Sequence, residues 1–360
     1  MSILFTIHPL KADKVDANGH PPKFCSPGHT MKARREPTNF SHAPRDLNAP
    51  LIVLGVDGGG TKTQAIITDE AGHALGEGLA GPSNPLRVGV SNAAAAVREA
   101  VDRACAAAGV RRTDIASAEV GLAGVRRADL KERMTDALRT LGINSIEVVT
   151  DADIALYGAT NGKPGLVLIA GTGSICCGMN ARRKHVCTGG WGPLAGDEGS
   201  GSWIARRALQ AVAQATDGRS AATSLDEAAC QYFNVAKPED LSLAIYAPSM
   251  TNDRIAGFAR QVITAARERD AVAAGIVADA GRELASLATT VIRKLRIERD
   301  SFQVAYVGGV FSAGELVLDP LRRAIKLNAP QAFLAPPQLS PAVAAAAMAR
   351  EHIRRLALAG

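Results

Sequence analysis

The chain has 360 residues, of which 47% are hydrophobic and only 4% aromatic, so we expect a large aliphatic core spread over two domains. A net charge of +6, carried partly by the first fifty residues, gives no case for a nucleic-acid-binding surface. No apolar run approaches the roughly 18 residues of a membrane span, no secretory signal pattern is present, and six irregularly spaced cysteines do not suggest a disulfide framework. We therefore expect a cytoplasmic protein without nucleic-acid or membrane partners.

Residues 1–48 differ from the rest of the chain. Prolines interrupt this stretch and it has no apolar periodicity, so we interpret it as a disordered extension or as a start codon assigned too early, since Met31 is also available. A metal site is the functional alternative, but the spacing is irregular for His8, His20, His29 and His42.

Ordered structure is expected from residue 51, beginning with strands at 51–56, 63–68 and 73–77. A helix capped by Ser91-Asn92 should end at Gly109. The pattern continues with a strand at 119–123, a helix at 129–141 and a strand at 146–150.

The strand, glycine loop, strand, turn, strand pattern then recurs, with strands at 165–170, 175–179 and 185–188. This internal duplication predicts two related lobes, 49–162 and 163–360. Helices should dominate 201–297, followed by a strand at 302–307. A last helix at about 341–358 is expected to pack back on the N-terminal lobe.

Two glycine loops follow apolar strands, namely Asp57-Gly58-Gly59-Gly60-Thr61 and Gly171-Thr172-Gly173-Ser174. Glycine lets backbone N–H groups approach a polyanion, and the hydroxyl groups add donors, so the pair predicts a clamp for nucleotide phosphates. Neither loop is a P-loop or a dinucleotide fingerprint, because neither has that spacing or opens a helix. Lys62 is either a phosphate ligand or a solvated surface lysine.

Two carboxylates also end strands. Asp57 is either a turn cap or, as we favour, a ligand of Mg²⁺ through water, which this ion retains. Asp151 follows the strand at 146–150 and is predicted to accept a proton from a hydroxyl during phosphoryl transfer. Asp153 is expected to cap the following helix.

A third glycine-rich segment runs from Gly189 to Gly201. Trp191 offers an apolar face to the C–H surface of a sugar, while Asp197 and Glu198 offer acceptors to its hydroxyl groups. The alternative is a loop that only connects domains.

Together these motifs, with Thr150-Asp151 and Gly308-Gly309, resemble the N-acetylglucosamine kinases of the BadF/BadG/BcrA/BcrD ATPase family, in the actin/Hsp70/hexokinase superfamily, from Leu51 to the C-terminus. The resemblance implies an α/β fold of two ribonuclease-H-like lobes around an inter-lobe ATP and sugar cleft, with ATP and Mg²⁺ as cofactors and a homodimer. It assigns ATP to Gly58, Gly59, Gly60, Thr61, Thr172, Gly257 and Gly309. It implies that Asp151 is the base at the sugar 6-hydroxyl. It also implies that the sugar is bound by Asp151 together with Asn84, Ser174, Ile175, Gly189, Gly190, Trp191 and Asp197.

The predicted reaction converts N-acetylglucosamine to its 6-phosphate, with glucosamine as the nearest alternative substrate. A second alternative is an ATPase activator of a dehydratase or benzoyl-CoA reductase, which needs cysteines that share an iron–sulfur cluster. Cys176 and Cys177 are adjacent on a strand and point to opposite faces, which disfavours it. A sugar-sensing regulator is a third, but residues 1–48 are too rich in proline for a DNA-reading helix.

Overall fold

The computed structural model describes residues 51–359, with side chains as far as residue 355. The predictions for residues 1–48, including the histidine site and Met31, lie outside the described residues. Within this range, no helix combines the length and the apolar character needed to cross a bilayer.

The first sheet has the strand order β3-β2-β1-β4-β5. β1 pairs antiparallel with β2 and parallel with β4, and β4 pairs parallel with β5. The strands are β1 (Val53–Gly58), β2 (Thr63–Thr68), β3 (Ala74–Ala80), β4 (Ser117–Leu122) and β5 (Ile146–Thr150). The helices are α1 (Pro85–Ala108), α2 (Ala128–Leu138) and α3 (Asp151–Thr160).

The second sheet repeats this plan, with the order β10-β9-β6-β7-β8. Read from its other edge, the strands follow the order third, second, first, fourth, fifth, as in the first sheet. Its strands are β6 (Gly165–Ala170), β7 (Ser174–Met179), β8 (His185–Gly189), β9 (Gln303–Val307) and β10 (Phe333–Ala335). The matching topology confirms the internal duplication and the predicted fold of two ribonuclease-H-like lobes.

Helices cover the second sheet and enclose the larger of the hydrophobic cores. They are α4 (Gly201–Thr216), α5 (Leu225–Phe233), α6 (Leu241–Ile245), α7 (Asn252–Gly257), α8 (Ala259–Arg267), α9 (Ala271–Leu295) and α10 (Glu315–Asn328). Most side chains of this core are small or aliphatic, as the low aromatic content predicted, and Phe233, Phe258, Phe302 and Phe311 are its buried aromatic residues. The last helix, α11 (Pro341–Ala359), lies on the first sheet instead.

The predicted start of α1 was wrong. The helix begins at Pro85, and the Asn84 side chain caps it by accepting a hydrogen bond from the Leu86 amide. Pro85 suits the first helical position because its fixed φ is helical and it has no N–H to satisfy. Gly89, at φ 78°, kinks the helix, which interrupted the apolar pattern before Ser91-Asn92.

The structure also contains a disulfide that the sequence did not predict. Cys177 and Cys187 lie directly opposite each other on β7 and β8, and their sulfur atoms are bonded. Irregular spacing concealed the pair, because antiparallel pairing of the hairpin, and not a sequence motif, brings the two residues together.

Helix α11 packs across the first sheet with unusually close backbone contact at Gly55 in β1. Ala342, Ala346 and Ala349 lie in one buried cluster with Val53. A Cβ atom on Gly55 would lie 2.2 Å from both the Ala342 carbonyl oxygen and the Ala346 amide nitrogen. These are backbone atoms, so the helix cannot accommodate a side chain there without moving.

We therefore expect Gly55→Ala to lower the free energy of unfolding by about 1–3 kcal/mol or more through overpacking. Gly275→Ala is the matched control, since a Cβ on this exposed residue of α9 meets no neighbour within 4 Å. The control should be neutral or stabilising by up to about 1 kcal/mol. Denaturant unfolding measures both, and wild-type stability of Gly55→Ala would contradict the close packing.

Candidate functional site

The first glycine loop links β1 to β2 through residues 59–62. The Gly59 amide donates to the Lys62 carbonyl oxygen at 2.9 Å, which closes the turn. A Cβ on Gly58 would lie 2.2 Å from the Ser83 hydroxyl oxygen, so glycine is required there. Thr61 and Lys62 are exposed at the tip, whereas Thr63 is buried and donates to the Gly81 carbonyl oxygen.

The second glycine loop is one residue shorter, and a hydrogen bond ties it to the start of α4. It links β6 to β7 through residues 171–173, and the Gly171 amide donates to the Gly173 carbonyl oxygen at 2.9 Å. The Gly201 amide, at the start of α4, donates to the Gly171 carbonyl oxygen at 2.8 Å. This bond ties the loop to the N-terminal end of α4, the positive end of a helix dipole.

A cavity of about 360 Å³ opens beside the second loop. It brings together three of the predicted ATP residues, Thr172, Gly257 and Gly309, with Asp253 and Arg260. Gly257 ends α7 and Gly309 follows β9, so three separate elements contribute. A cavity of this size falls within the range of small-molecule sites.

Asp57 and Asp151 form the acidic part of the site. Asp57 lies at the end of β1, where burial and the nearby Asp151 raise its pKa to about 6 and Lys62 opposes them. Asp151 is the first residue of α3, and its Oδ1 accepts the Ala152 amide at 2.9 Å. Burial also raises the pKa of Asp151, against that hydrogen bond. Asp153 caps α3 in a reciprocal pair with Thr150, as predicted.

The paired acids fit a divalent cation. Burial opposes the ionisation of Asp57, and a bound cation would reverse that preference. Among residues 51–355, no cluster of three or more acidic, histidine or cysteine side chains could hold a metal by itself. That is compatible with Mg²⁺, which usually takes one or two carboxylates and completes its shell with water and substrate phosphates.

An ion pair that the sequence did not predict joins the two lobes. Arg87 of α1 donates to Asp253 of α7, with an Nη1–Oδ2 distance of 2.6 Å and an Nη2–Oδ1 distance of 3.2 Å. Asp253 lines the cavity, and the guanidinium lies against Gly60, whose Cβ would be 3.2 Å from Nη1. The two residues are 166 positions apart without a shared motif, so only the fold reveals the pair.

The segment predicted to bind sugar follows β8. Gly189, Gly190 and Gly192 have φ angles of 72–83°, a region that favours glycine. Ile175 lies against Gly190. Trp191 is 74% exposed, so its ring is free to contact a ligand.

Asp197 and Ser174 anchor this segment to the second loop. The Asp197 carboxylate accepts the Ser174 amide at 3.3 Å, and the Ser174 hydroxyl donates to the Glu198 carbonyl oxygen at 2.7 Å. Both side chains are buried. These contacts hold the Gly189–Gly201 segment against the second glycine loop. Ser174 and Asp197, both predicted to contact the sugar, therefore also fix the position of the predicted sugar-binding segment.

One residue of the first lobe contacts this segment. Arg126, a residue that the sequence did not single out, donates from Nη1 to the Gly189 carbonyl oxygen at 3.4 Å. Asn84, a predicted sugar ligand, uses its carbonyl oxygen to cap α1. Its amide group makes no hydrogen bond to another residue in the part of the chain that the structure describes, and so can still donate to a ligand.

Comparison with known proteins places this geometry in a family. Two relatives are 32% identical: the N-acetylmuramic acid/N-acetylglucosamine kinase of Clostridium acetobutylicum, over 78% of this chain and 92% of the relative, and the N-acetyl-D-glucosamine kinase of Dictyostelium discoideum, over 83% and 97%. A crystal structure described as an N-acetylglucosamine kinase from Chromobacterium violaceum has a TM-score of 0.70 at 27% identity, covering 84% of this chain and 99% of that one. The BadF/BadG/BcrA/BcrD ATPase family model matches residues 54–349, and the chain belongs to that family.

Proposed function

We propose that the protein is an ATP-dependent amino-sugar kinase that phosphorylates the 6-hydroxyl of N-acetylglucosamine. The observation that supports this most is that Thr172, Gly257 and Gly309, three residues predicted to bind ATP, line one cavity of about 360 Å³. Glycines in its lining leave room for a ligand to approach the backbone. The names of the two relatives support N-acetylglucosamine as the substrate. The wider class, an enzyme that transfers phosphate from ATP to a sugar, is supported by these relatives together with membership of the BadF/BadG/BcrA/BcrD ATPase family.

In this proposal the two loops hold the phosphates of ATP. Gly59 and Gly171 use their amides to close the turns, so the donors to phosphate would be the amides of Gly60 and Gly173. Gly58, Gly59 and Gly171 would let the phosphates approach the backbone without steric hindrance, and Thr61 and Thr172 would add hydroxyl groups. Gly257 and Gly309 border the nucleoside. Asp57 would hold Mg²⁺, which neutralises charge on the phosphates when bound.

Asp151 receives the proton of the attacking hydroxyl. The N-terminal position in α3 favours the carboxylate form, while burial disfavours it, so the group is a stronger base than a solvated aspartate. Asn84, Ser174, Ile175, Gly189, Gly190, Trp191 and Asp197 would surround the sugar. The exposed Trp191 would cover the sugar when the segment closes, which excludes water from the reaction.

We also propose that residues 49–162 form the first lobe and residues 163–360 the second. The division of the strands, with β1–β5 in one sheet and β6–β10 in the other, supports this boundary. We also propose a homodimer in the cytoplasm, on the family resemblance alone.

A coupled kinase assay across N-acetylglucosamine, glucosamine and N-acetylmuramic acid tests the substrate. We expect N-acetylglucosamine to have the highest kcat/KM, by about tenfold or more over glucosamine, because a site that bonds the acetamide leaves polar groups unpaired with the amine. Equal or faster turnover of glucosamine would overturn the choice of sugar and leave the reaction class intact.

The activator alternative finds no support in the cysteines. Cys176 is fully buried in the helical core, and Cys177 faces the other side of β7, where it bonds Cys187. These adjacent residues therefore cannot share one cluster.

A further inference from the structure

A second cavity, of about 390 Å³, lies apart from the predicted ATP and sugar residues, none of which lines it. Its walls come from β4 and β5 of the first sheet, from α3 and α11, and from the β7–β8 hairpin of the second sheet. Apolar side chains line much of the interior, namely Val149, Leu156, Met179 and Met348. A volume of this kind suits a small organic molecule.

Glu119 of β4 lines this cavity and is only 3% exposed. Within residues 51–355, no donor forms a hydrogen bond or an ion pair with its carboxyl group. A largely buried carboxyl without a protein partner is costly unless water or a ligand reaches it. The Glu119 oxygens are not among the fully enclosed unpaired atoms of the described residues, so they are accessible from the cavity. Glu119 is therefore an unpaired polar group that faces a cavity of ligand size.

Apart from Arg355, which forms no ion pair among residues 51–355, the other charged groups of the cavity have partners within the protein. Arg183 lies 3.4 Å from Glu351, Asp153 caps α3 and lies 4.0 Å from His185, and Glu147 lies 3.6 Å from His352. Besides Glu119, three carboxylates and two guanidinium groups line the cavity, so acidic groups outnumber guanidinium groups even when Glu119 is protonated, which favours a cation. Glu119 is the carboxyl left to receive it.

The surroundings also set the ionisation of Glu119. Burial raises its pKa to about 8, Glu147 and Asp153 add to this, and Lys131 and Arg355 oppose it. His185, His352, Arg183, Glu351 and Tyr157 are further titratable or charged groups nearby, and burial and Glu351 raise the pKa of Tyr157. An empty cavity therefore holds a largely protonated Glu119 at neutral pH, and a cation that binds there must displace that proton.

We propose that this cavity is a second ligand site, that its ligand is a small primary ammonium compound with a short aliphatic body, and that Glu119 binds the ammonium group. The apolar walls suit the aliphatic body and cannot coordinate a metal ion, and the described residues offer no preformed metal cluster. The proposal does not depend on the kinase assignment. An occupant would contact α3, which begins at Asp151, and β8, which leads into Gly190, so it would contact both lobes.

Titration calorimetry of the full chain with n-butylammonium chloride tests the site, with n-butanol as a neutral probe of the same shape. We expect n-butylammonium to bind, with release of nearly one proton at pH 7, seen as a dependence of the heat on the ionisation enthalpy of the buffer. Its affinity should rise about tenfold from pH 7 to pH 9 as Glu119 becomes ionised without the ligand.

Glu119→Gln should lose both the binding and its pH dependence. Glu132→Gln removes an exposed carboxylate of α2 and is the matched control, which should bind as the wild type does. Thermal melting confirms that both variants fold. Equal binding of n-butanol, unchanged binding by Glu119→Gln, or no binding of n-butylammonium at pH 9 would each overturn the proposal.

Discussion

Replacing Asp151 by asparagine should lower kcat by about 10²–10⁴ and leave the KM for the sugar nearly unchanged, because a positioned general base contributes a rate factor of that size. Asparagine has the same shape, and its side-chain oxygen can still accept a hydrogen bond from the Ala152 amide, as the Asp151 carboxylate does. It cannot take the hydroxyl proton. The loss should therefore appear in turnover and not in binding.

Asp153→Asn provides the control for that experiment. It makes the same chemical change two residues further along α3, at a side chain that accepts the Thr150 amide and hydroxyl. Weakening this cap should cost about 1 kcal/mol of stability and leave kcat within a few-fold of wild type. Steady-state kinetics on both variants tests whether Asp151 is the general base. Near-normal turnover of Asp151→Asn would show that Asp151 does not accept the hydroxyl proton.

Asp57→Asn should combine a loss of activity of about 10²-fold or more with a gain of stability at neutral pH. The activity falls because an amide replaces the charged ligand proposed for Mg²⁺, an ion that stabilises the transferring phosphoryl group. The stability rises because the folded protein holds Asp57 at a raised pKa, about 6 against an ordinary value of 3.8. Wild-type stability is therefore lost as pH rises from about 4 to about 6, and asparagine removes that loss.

Thermal melting without Mg²⁺, at pH 4 and at pH 7.5, measures this second effect. The variant should melt above the wild type at pH 7.5, and the difference should shrink towards pH 4. Asp69→Asn is the control, because hydrogen bonds from His73 hold the pKa of Asp69 below its ordinary value, so that variant should lose stability at pH 7.5 and keep its activity. Wild-type activity of Asp57→Asn would contradict its assignment to the metal.

Much of the fold could be predicted because short runs of apolar residues end at polar residues or glycines that favour turns. The strands at 63–68, 146–150 and 165–170 have the predicted bounds, and the helix α1 ends at Gly109 as expected. The start of that helix was misplaced because its kink at Gly89 broke the apolar period. The strand β10 was missed because three residues carry too little pattern to be recognised.

The candidate site could be predicted only where residues lie in local motifs. Thr172, Gly257 and Gly309 come from three separate segments and line one cavity, although their roles stay predictions. Arg87, Asp253 and Arg126 had no sequence signal, because charged residues near a loop are ordinary until the fold brings them across to the other lobe. Asn84 combines its predicted role with helix capping, which the motif did not reveal.

The identity of the product tests the central claim most directly. The purified full chain is incubated with ATP, Mg²⁺ and N-acetylglucosamine, and the sugar product is examined by ³¹P–¹H correlation NMR. The proposal predicts one phosphate ester, coupled to the two protons on carbon 6. A phosphate on another carbon, or ATP hydrolysis without a phosphorylated sugar, would contradict it.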